Sequence, residues 1–429
     1  MASSSGWREP YHDTIYDWNR VDDAQQVLRR RVLLHDETLR DGLQSSYVRH
    51  PATEEKLELV HLMEALGVDS VDLGLPGAGD RARRECMTLA RAIAREGMRI
   101  RPVVAARTHR DDIRASLEVA DHAGIPVEVM IFIGSSPIRM LAEAWDLPFL
   151  LERTTESIRL CRQAGLPVTF VTEDTTRSRP DVIYRLFSHA VDMGANRLCV
   201  CDTVGHAMPD GIRVLMRYVL DLLKAMGVDV PVDWHGHNDR GLALSNALWA
   251  MAHGADRLHG CALGVGERAG NTSMDRLIMN LRLMGVLGED RDLSRLLEYC
   301  RRASAVLDVP IAPNYPLAGR DVFRTQTGVH ASAILKARRK GDDFLADRVY
   351  SGVPAGMFGR RQEICVGPMS GQSNAEQALL DRGLDPTPER VQALLRVAKS
   401  EQRILAPEDI DGIVAGQLLR ESGASPGSP

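Results

Sequence analysis

Within the first three hundred residues, short apolar runs alternate eight times with amphipathic helical stretches, and this alternation constrains the fold more than any other feature of the chain. The apolar runs read RVLLHD, SVDLGL, IRPVVAA, VEVMIFI, VTFVTE, RLCVCD, VPVDWHGH and RLHGCALG. Between them lie helix patterns such as EEKLELVHLMEALG (54–67), DDIRASLEVADHAG (111–124) and DGIRVLMRYVLDLLKAMG (210–227), several closed by a glycine suited to a C-cap. Strand then helix, repeated eight times over about 260 residues, is the arithmetic of an α/β protein of the (β/α)8 TIM-barrel class. A doubly wound open sheet would want a glycine-rich phosphate turn after its first strand, and HDETLRDG is not one.

The barrel reading can be tested against the polar residues, because active sites of such barrels form where strands end and loops begin. At or just past the ends of the runs stand Arg40, Asp41 and Gln44, then Arg107, Ser135 and Ser136, Glu173 and Asp174, and Asp202 and Thr203. The seventh run ends in His235, His237 and Asn238, and Glu267, Arg268 and Asn271 stand past the eighth. On a strand, His235 and His237 face the same way, so their ring nitrogens can converge on one ion. A carboxylate, two imidazoles and an amide at one end of a barrel suit Mg2+, Mn2+, Zn2+ or Co2+.

At 429 residues and 44% hydrophobic, the chain has material for a large core. A net charge of −5 argues against nucleic acid or an anionic membrane as partner, and the lack of any 18-residue apolar run argues against a membrane span. The start MASSSGWREPYHDTIYDWNR carries no export signal, and seven scattered cysteines fit reduced thiols, so a cytoplasmic protein is expected. Cys199 and Cys201 read as packed thiols on a strand. The expected organisation is an N-terminal arm over 1–30, a catalytic barrel over 31–299, a mostly helical subdomain over 300–420 and a disordered tail over 421–429.

Several separated motifs carry a family resemblance. DETLRDGLQ, DTVGHAMP (202–209), HGHNDRGLALSNALWAMAHGADRLHGCALGVGERAGN (235–271) and TGVHASAILK (327–336) occur in the order in which they stand in 2-isopropylmalate, homocitrate and citramalate synthases and 3-hydroxy-3-methylglutaryl-CoA lyase. The resemblance spans roughly residues 31 to 380. It implies metal ligands at Asp41, His235, His237 and Asn271, and an arginine beside the reacting carbonyl at Arg40. It also implies a carboxylate-binding threonine at Thr203, whose bland alternative is a strand-end hydroxyl capping the next helix. Gln44 and Glu173 match polar positions near substrate, and Arg107, with His109 and Arg139, is a candidate to meet a second acidic group. His330, in TGVH, matches a histidine that reaches the partner subunit's active site for proton transfer, which implies a homodimer.

Within that resemblance, GVGERAGN and the long segment after the barrel favour a synthase over a lyase, although Leu43 stands where most synthases carry an acid. The implied reaction is a metal-dependent Claisen condensation of acetyl-CoA with a 2-oxo acid, followed by thioester hydrolysis. Around the oxo acid's side chain the chain departs from its relatives: Met130 replaces a histidine, Cys199-Val200-Cys201 precedes DTVG, and His206 follows it. The oxo acid is therefore left open, with 2-oxoisovalerate, 2-oxoglutarate, pyruvate and a substrate of specialised metabolism all in view.

Overall fold

The computed structural model describes residues 14–17, 31–288 and 291–421. Most of the expected N-terminal arm, and the tail after residue 421, lie outside the described residues. The chain divides into two compact units at Pro310/Ile311.

The first unit is a closed barrel of eight parallel strands, each paired with its neighbours in chain order. They are β1 (Leu33–Asp36), β2 (Ser70–Asp72), β3 (Arg101–Arg107), β4 (Glu128–Gly134), β5 (Val168–Glu173), β6 (Arg197–Asp202), β7 (Val232–Gly236) and β8 (Arg257–Gly260). Closure is made by Leu33 beside Arg257 and His35 beside His259. Helices intervene where the periodicity placed them, with proline at the starts of Pro180–Asp192 and Pro209–Ala225 and left-handed Gly97 and Gly124 ending two others. The helix Leu296–Leu307, which spans the boundary expected at 299/300, belongs to this unit. Its Tyr299 hydroxyl donates to Asp36 Oδ2 at 2.5 Å, and Leu296, Cys300, Ala303 and Leu307 are fully buried.

Register and alternation decide which side chains fill the lumen. Across the strand pairs His35/Ser70, Asp72/Val103, Met130/Thr169, Val171/Cys199, Cys201/His235 and Asp233/Arg257, neighbours share the inward face. The lumen is consequently divided lengthwise. The side built by β1, β2, β7 and β8 carries His35, Ser70, Asp72, Asp233, His235, Arg257 and His259. The side built by β3 to β6 carries an apolar cluster of Val103, Met130, Val171, Cys199 and Cys201, with Phe132 packed on it. Cys199 and Cys201 are free thiols, 3.7 Å apart at sulfur.

A charge network plugs the N-terminal end of the barrel. Arg257, wholly buried, donates to Asp233 Oδ2 (2.8 Å) and to both oxygens of Glu128 (2.5 and 3.1 Å). Asp233 also receives Arg197 (2.7 Å) and lies 3.2 Å from His259 Nε2. Buried charges persist only when paired in this way, and removing one partner of such a set costs about 3–5 kcal/mol.

The second unit is mostly helical. Helices Gly328–Arg339, Asp343–Arg348, Gln372–Leu380, Pro388–Ser400 and Pro407–Glu421 accompany a two-stranded parallel sheet of β9 (Arg324–Thr325) and β10 (Glu363–Ile364). Its core gathers Val366, Leu379, Val391, Leu394 and Leu405. Buried Asn374 donates to the carbonyls of Gln326 and Cys365 and so ties the sheet to the helices. No helix among the described residues is long and apolar enough to cross a membrane.

Candidate metal centre

A tight turn after β1 brings Asp41 back over the strand end: Gly42 N–H and Arg40 N–H both donate to the Glu37 carbonyl, and Thr38 N–H donates to Asp36 Oδ1. From the same side of the lumen, one strand beyond β8, β7 presents His235 from inside the strand and His237 just beyond it. The metal-ligating atoms of Asp41, His235 and His237 lie within 4.8 Å of one another, and both Nε2 atoms are 3.4 Å from Asp41 Oδ2. Asn271 reaches the same place through the backbone, since it pairs with His237 in an isolated bridge. The loop that carries it depends on glycine: a Cβ on Gly266 (φ +152°) would fall 2.2 Å from Asn271 Nδ2, and one on Gly270 (φ +87°) 2.0 Å from the Gly264 carbonyl.

The donor set fits a divalent cation. Asp41 Oδ2 and Asn271 Oδ1 are buried and have no hydrogen-bond partner among the described residues. Buried polar atoms of this kind are costly unless something is bound to them. Burial alone would raise the Asp41 carboxyl, but the Arg40 guanidinium and the two imidazoles hold it well below the ordinary carboxylate range, so it stands ready as an anionic ligand.

Behind the ligands sits Glu37, which the sequence reading overlooked. Its Oε2 lies 2.6 Å from His235 Nδ1, which orients that ring with Nε2 towards Asp41. Its Oε1 pairs with Arg40 and lies 3.5 Å from His259 Nδ1. A second group, His35, Glu37 and His259, also has metal-ligand spacing, but it is fully enclosed and its carboxylate is already shared between His235 and Arg40. The group at the mouth is therefore the candidate centre. Arg40 faces three carboxylates, with Nε 3.0 Å from Asp72 Oδ2 and Nη1 3.6 Å from Asp41 Oδ1. Burial raises the Asp72 carboxyl to about 7 against the pull of Arg40.

The other expected residues are placed unequally. Glu173 ends β5, and burial raises its carboxyl while Arg139 and Arg40 lower it less. Thr203 Oγ1 accepts from the backbone N–H of Asp174 (2.8 Å), a left-handed residue at φ 61°, and does not cap the following helix. Gln44 is exposed in the turn after β1. Arg107 does not join the cluster: it is bidentate to Asp112, through Nε at 2.7 Å and Nη2 at 2.8 Å. His109 accepts from Asp111 N–H as the cap of the next helix. His330, in the second unit, is exposed, with its ring stacked on Tyr350 at 3.9 Å.

The HMGL-like family profile matches residues 31–301. A homocitrate synthase of Methanopyrus kandleri is 30% identical over 370 residues, covering 86% of this chain and 87% of its own. A 2-isopropylmalate synthase of Solidesulfovibrio magneticus is 30% identical over 406 residues, covering 91% of this chain and 74% of its own. Among solved structures, a hydroxymethylglutaryl-CoA lyase of Pseudomonas aeruginosa superposes with a TM-score of 0.55 at 19% identity, covering 69% of this chain and 98% of its own, a likeness of fold. By the match over its whole barrel and the relatives that extend beyond it, the chain belongs to the HMGL-like family.

Proposed function

We propose that the chain is an acyltransferase of the synthase type, which condenses acetyl-CoA with a 2-oxo acid and then hydrolyses the thioester. The observation that carries this reading is the convergence of Asp41, His235 and His237 beside Arg40, with the side-chain oxygen Oδ1 of Asn271 left unsatisfied among the described residues. The extent of the relatives favours a synthase over a lyase: those named synthases match 86% and 91% of the chain, whereas the lyase of Pseudomonas aeruginosa is nearly consumed at 69%.

Asp41, His235, His237 and Asn271 are the residues that would hold a divalent ion, Mg2+, Mn2+, Zn2+ or Co2+, whose chemistry when bound is that of a Lewis acid for the oxo acid's carbonyl. Arg40 sets a fixed positive charge beside that position, where negative charge grows on oxygen as the carbon–carbon bond forms. The Thr203 hydroxyl, which already accepts from Asp174 N–H, keeps its own hydrogen to donate to the substrate carboxylate. Glu173, with its basicity raised by burial, is the residue to take a proton from the acetyl methyl group. That carbon then bonds to the oxo carbon, the oxygen collects a proton to become a tertiary alcohol, and water cleaves the thioester to release the thiol of CoA. Gln44, exposed on the same turn as Asp41, is an accessory contact for substrate. His330 serves proton transfer across a homodimer, a reading supported by its exposure and by the exposed apolar side chains of Val329 and Met369 in the same unit.

The deciding measurement is thiol release from acetyl-CoA against a panel of 2-oxo acids, with divalent metal present and after chelation. Metal-dependent release with an oxo acid is expected. No release with any of them, together with cleavage of a branched 3-hydroxyacyl-CoA, would establish the lyase.

A further inference from the structure

Building on the synthase reading, we infer that the oxo acid accepted here carries an uncharged alkyl side chain, seated on the apolar half of the lumen by Met130, Phe132, Val171 and Cys201. The first support is position. Cys201 stands beside His235 in the β6–β7 register, Val171 beside Cys199, and Phe132 beside Val171, so the apolar wall begins next to the candidate metal ligands and continues round the barrel. Val171 keeps 8% of its surface, Phe132 is only partly buried and Met130 and Cys201 keep 3% each, whereas Val103 and Cys199 beneath them are closed off. The accessible part of the wall therefore faces the mouth, where the candidate metal ligands and Arg40 meet the substrate's carbonyl from the other half.

The second support is charge. A carboxylate at the far end of the oxo acid would lie on this wall with no partner, and an unpaired buried charge is strongly disfavoured. All but one of the arginines carried by the neighbouring loops are already paired with a carboxylate. Arg107 is bidentate to Asp112, Arg177 is bidentate to Asp174 (both at 2.7 Å), Arg139 pairs with Glu143 at 2.9 Å, and Arg179 with Asp181 at 3.3 Å. Arg110, exposed on the first turn of the helix after β3, is the one arginine of these loops with no carboxylate partner among the described residues. Glu173 shares the inward face of β5 with Val171 and adds a negative group at the rim, so a second carboxylate would meet repulsion there.

The test is a comparison of kcat/KM in the thiol-release assay, using the full chain with saturating Mn2+. The acids are 2-oxobutanoate, 2-oxoisovalerate and 2-oxo-4-methylpentanoate against 2-oxoglutarate. The best alkyl acid is expected to exceed 2-oxoglutarate by at least ~100-fold. A smaller ratio, or a preference for 2-oxoglutarate, overturns the inference while thiol release itself keeps the synthase reading standing. Release with none of the acids removes that reading and the inference with it. A Phe132→Arg variant, at a partly exposed position that can take a longer side chain, should narrow the ratio at least ~10-fold by admitting the acidic substrate. An unchanged ratio in a folded variant counts against the wall as the determinant.

Discussion

Replacing Glu37 by glutamine keeps the shape of a residue that is 1% exposed and removes its charge. The carboxylate serves two donors at once, His235 Nδ1 at 2.6 Å and the Arg40 guanidinium. An amide can satisfy only one: with its oxygen towards His235, its NH2 group confronts Arg40, and the reverse arrangement confronts the Nδ1–H. Either way His235 loses a charge-assisted hydrogen bond or the site loses a fixed guanidinium, and a contact of this kind is worth about 1.5–3 kcal/mol. Supporting groups behind metal-bound histidines typically govern affinity by about 10- to 100-fold, which is the same range of energy. Glu37→Gln is therefore expected to weaken Zn2+ or Mn2+ binding by about 10- to 100-fold, measured by isothermal titration of metal-free protein. Nitrogen NMR of the His235 ring should show the two tautomers mixing. Binding within about threefold of the parent, in a variant that melts normally, would refute the assignment of Glu37 as the residue that orients His235.

Three further outcomes are expected. Gly266→Ala, which drives a Cβ to 2.2 Å from Asn271 Nδ2, should lower stability by about 2 kcal/mol and metal affinity along with it; unchanged melting and titration would contradict the loop's role. Asp36 is raised to about 6 by burial, against the hydrogen bonds from Thr38 and Tyr299. Its contribution to stability is therefore present below about pH 4 and lost as pH climbs through about 6. Asp36→Asn should escape that loss, gaining up to about 3 kcal/mol relative to the parent between pH 4 and 7 in urea unfolding; parallel profiles would refute it. Co-expressing Asp41→Ala with His330→Ala should restore roughly a quarter of parental activity if His330 serves the partner subunit, because about half the dimers pair unlike chains. A mixture that stays inactive, with heterodimers present, would place His330 in its own chain's service or in none.

The barrel was legible because each strand is a short apolar run and each helix keeps one apolar face, and both signals are local. The same holds for the candidate ligands, which stand at or just past strand ends in HGHN, LRDG and ERAGN. What the sequence conceals is pairing across the lumen. Nothing near Arg257 announces Glu128 or Asp233, and Arg107 looked free to meet substrate until the fold showed Asp112 turned back upon it. Glu37 was missed for a different reason, since its signal was available. In LLHDE, alternation sends Asp36 outward to Tyr299 and Glu37 inward to His235, so reading one more residue past the apolar run would have found it. The boundary expected at 299/300 falls inside the helix at 296–307, whose place in the first unit rests on burial that only the folded chain displays.

The pairing of β1 with β8 also governs how the chain can be made. Thr38, in the turn after β1, holds the amide of Ala262, 224 residues further on, so the first strand has no partner on one edge until nearly the whole unit has been synthesised. At ribosomal speeds of about 5–20 residues per second, that interval is on the order of ten to forty seconds. During it the nascent sheet is an open, parallel, apolar edge, the kind that recruits other chains. The yield of native protein should accordingly depend on expression temperature and on chaperones that shield such edges, more steeply than the stability of the finished barrel would suggest.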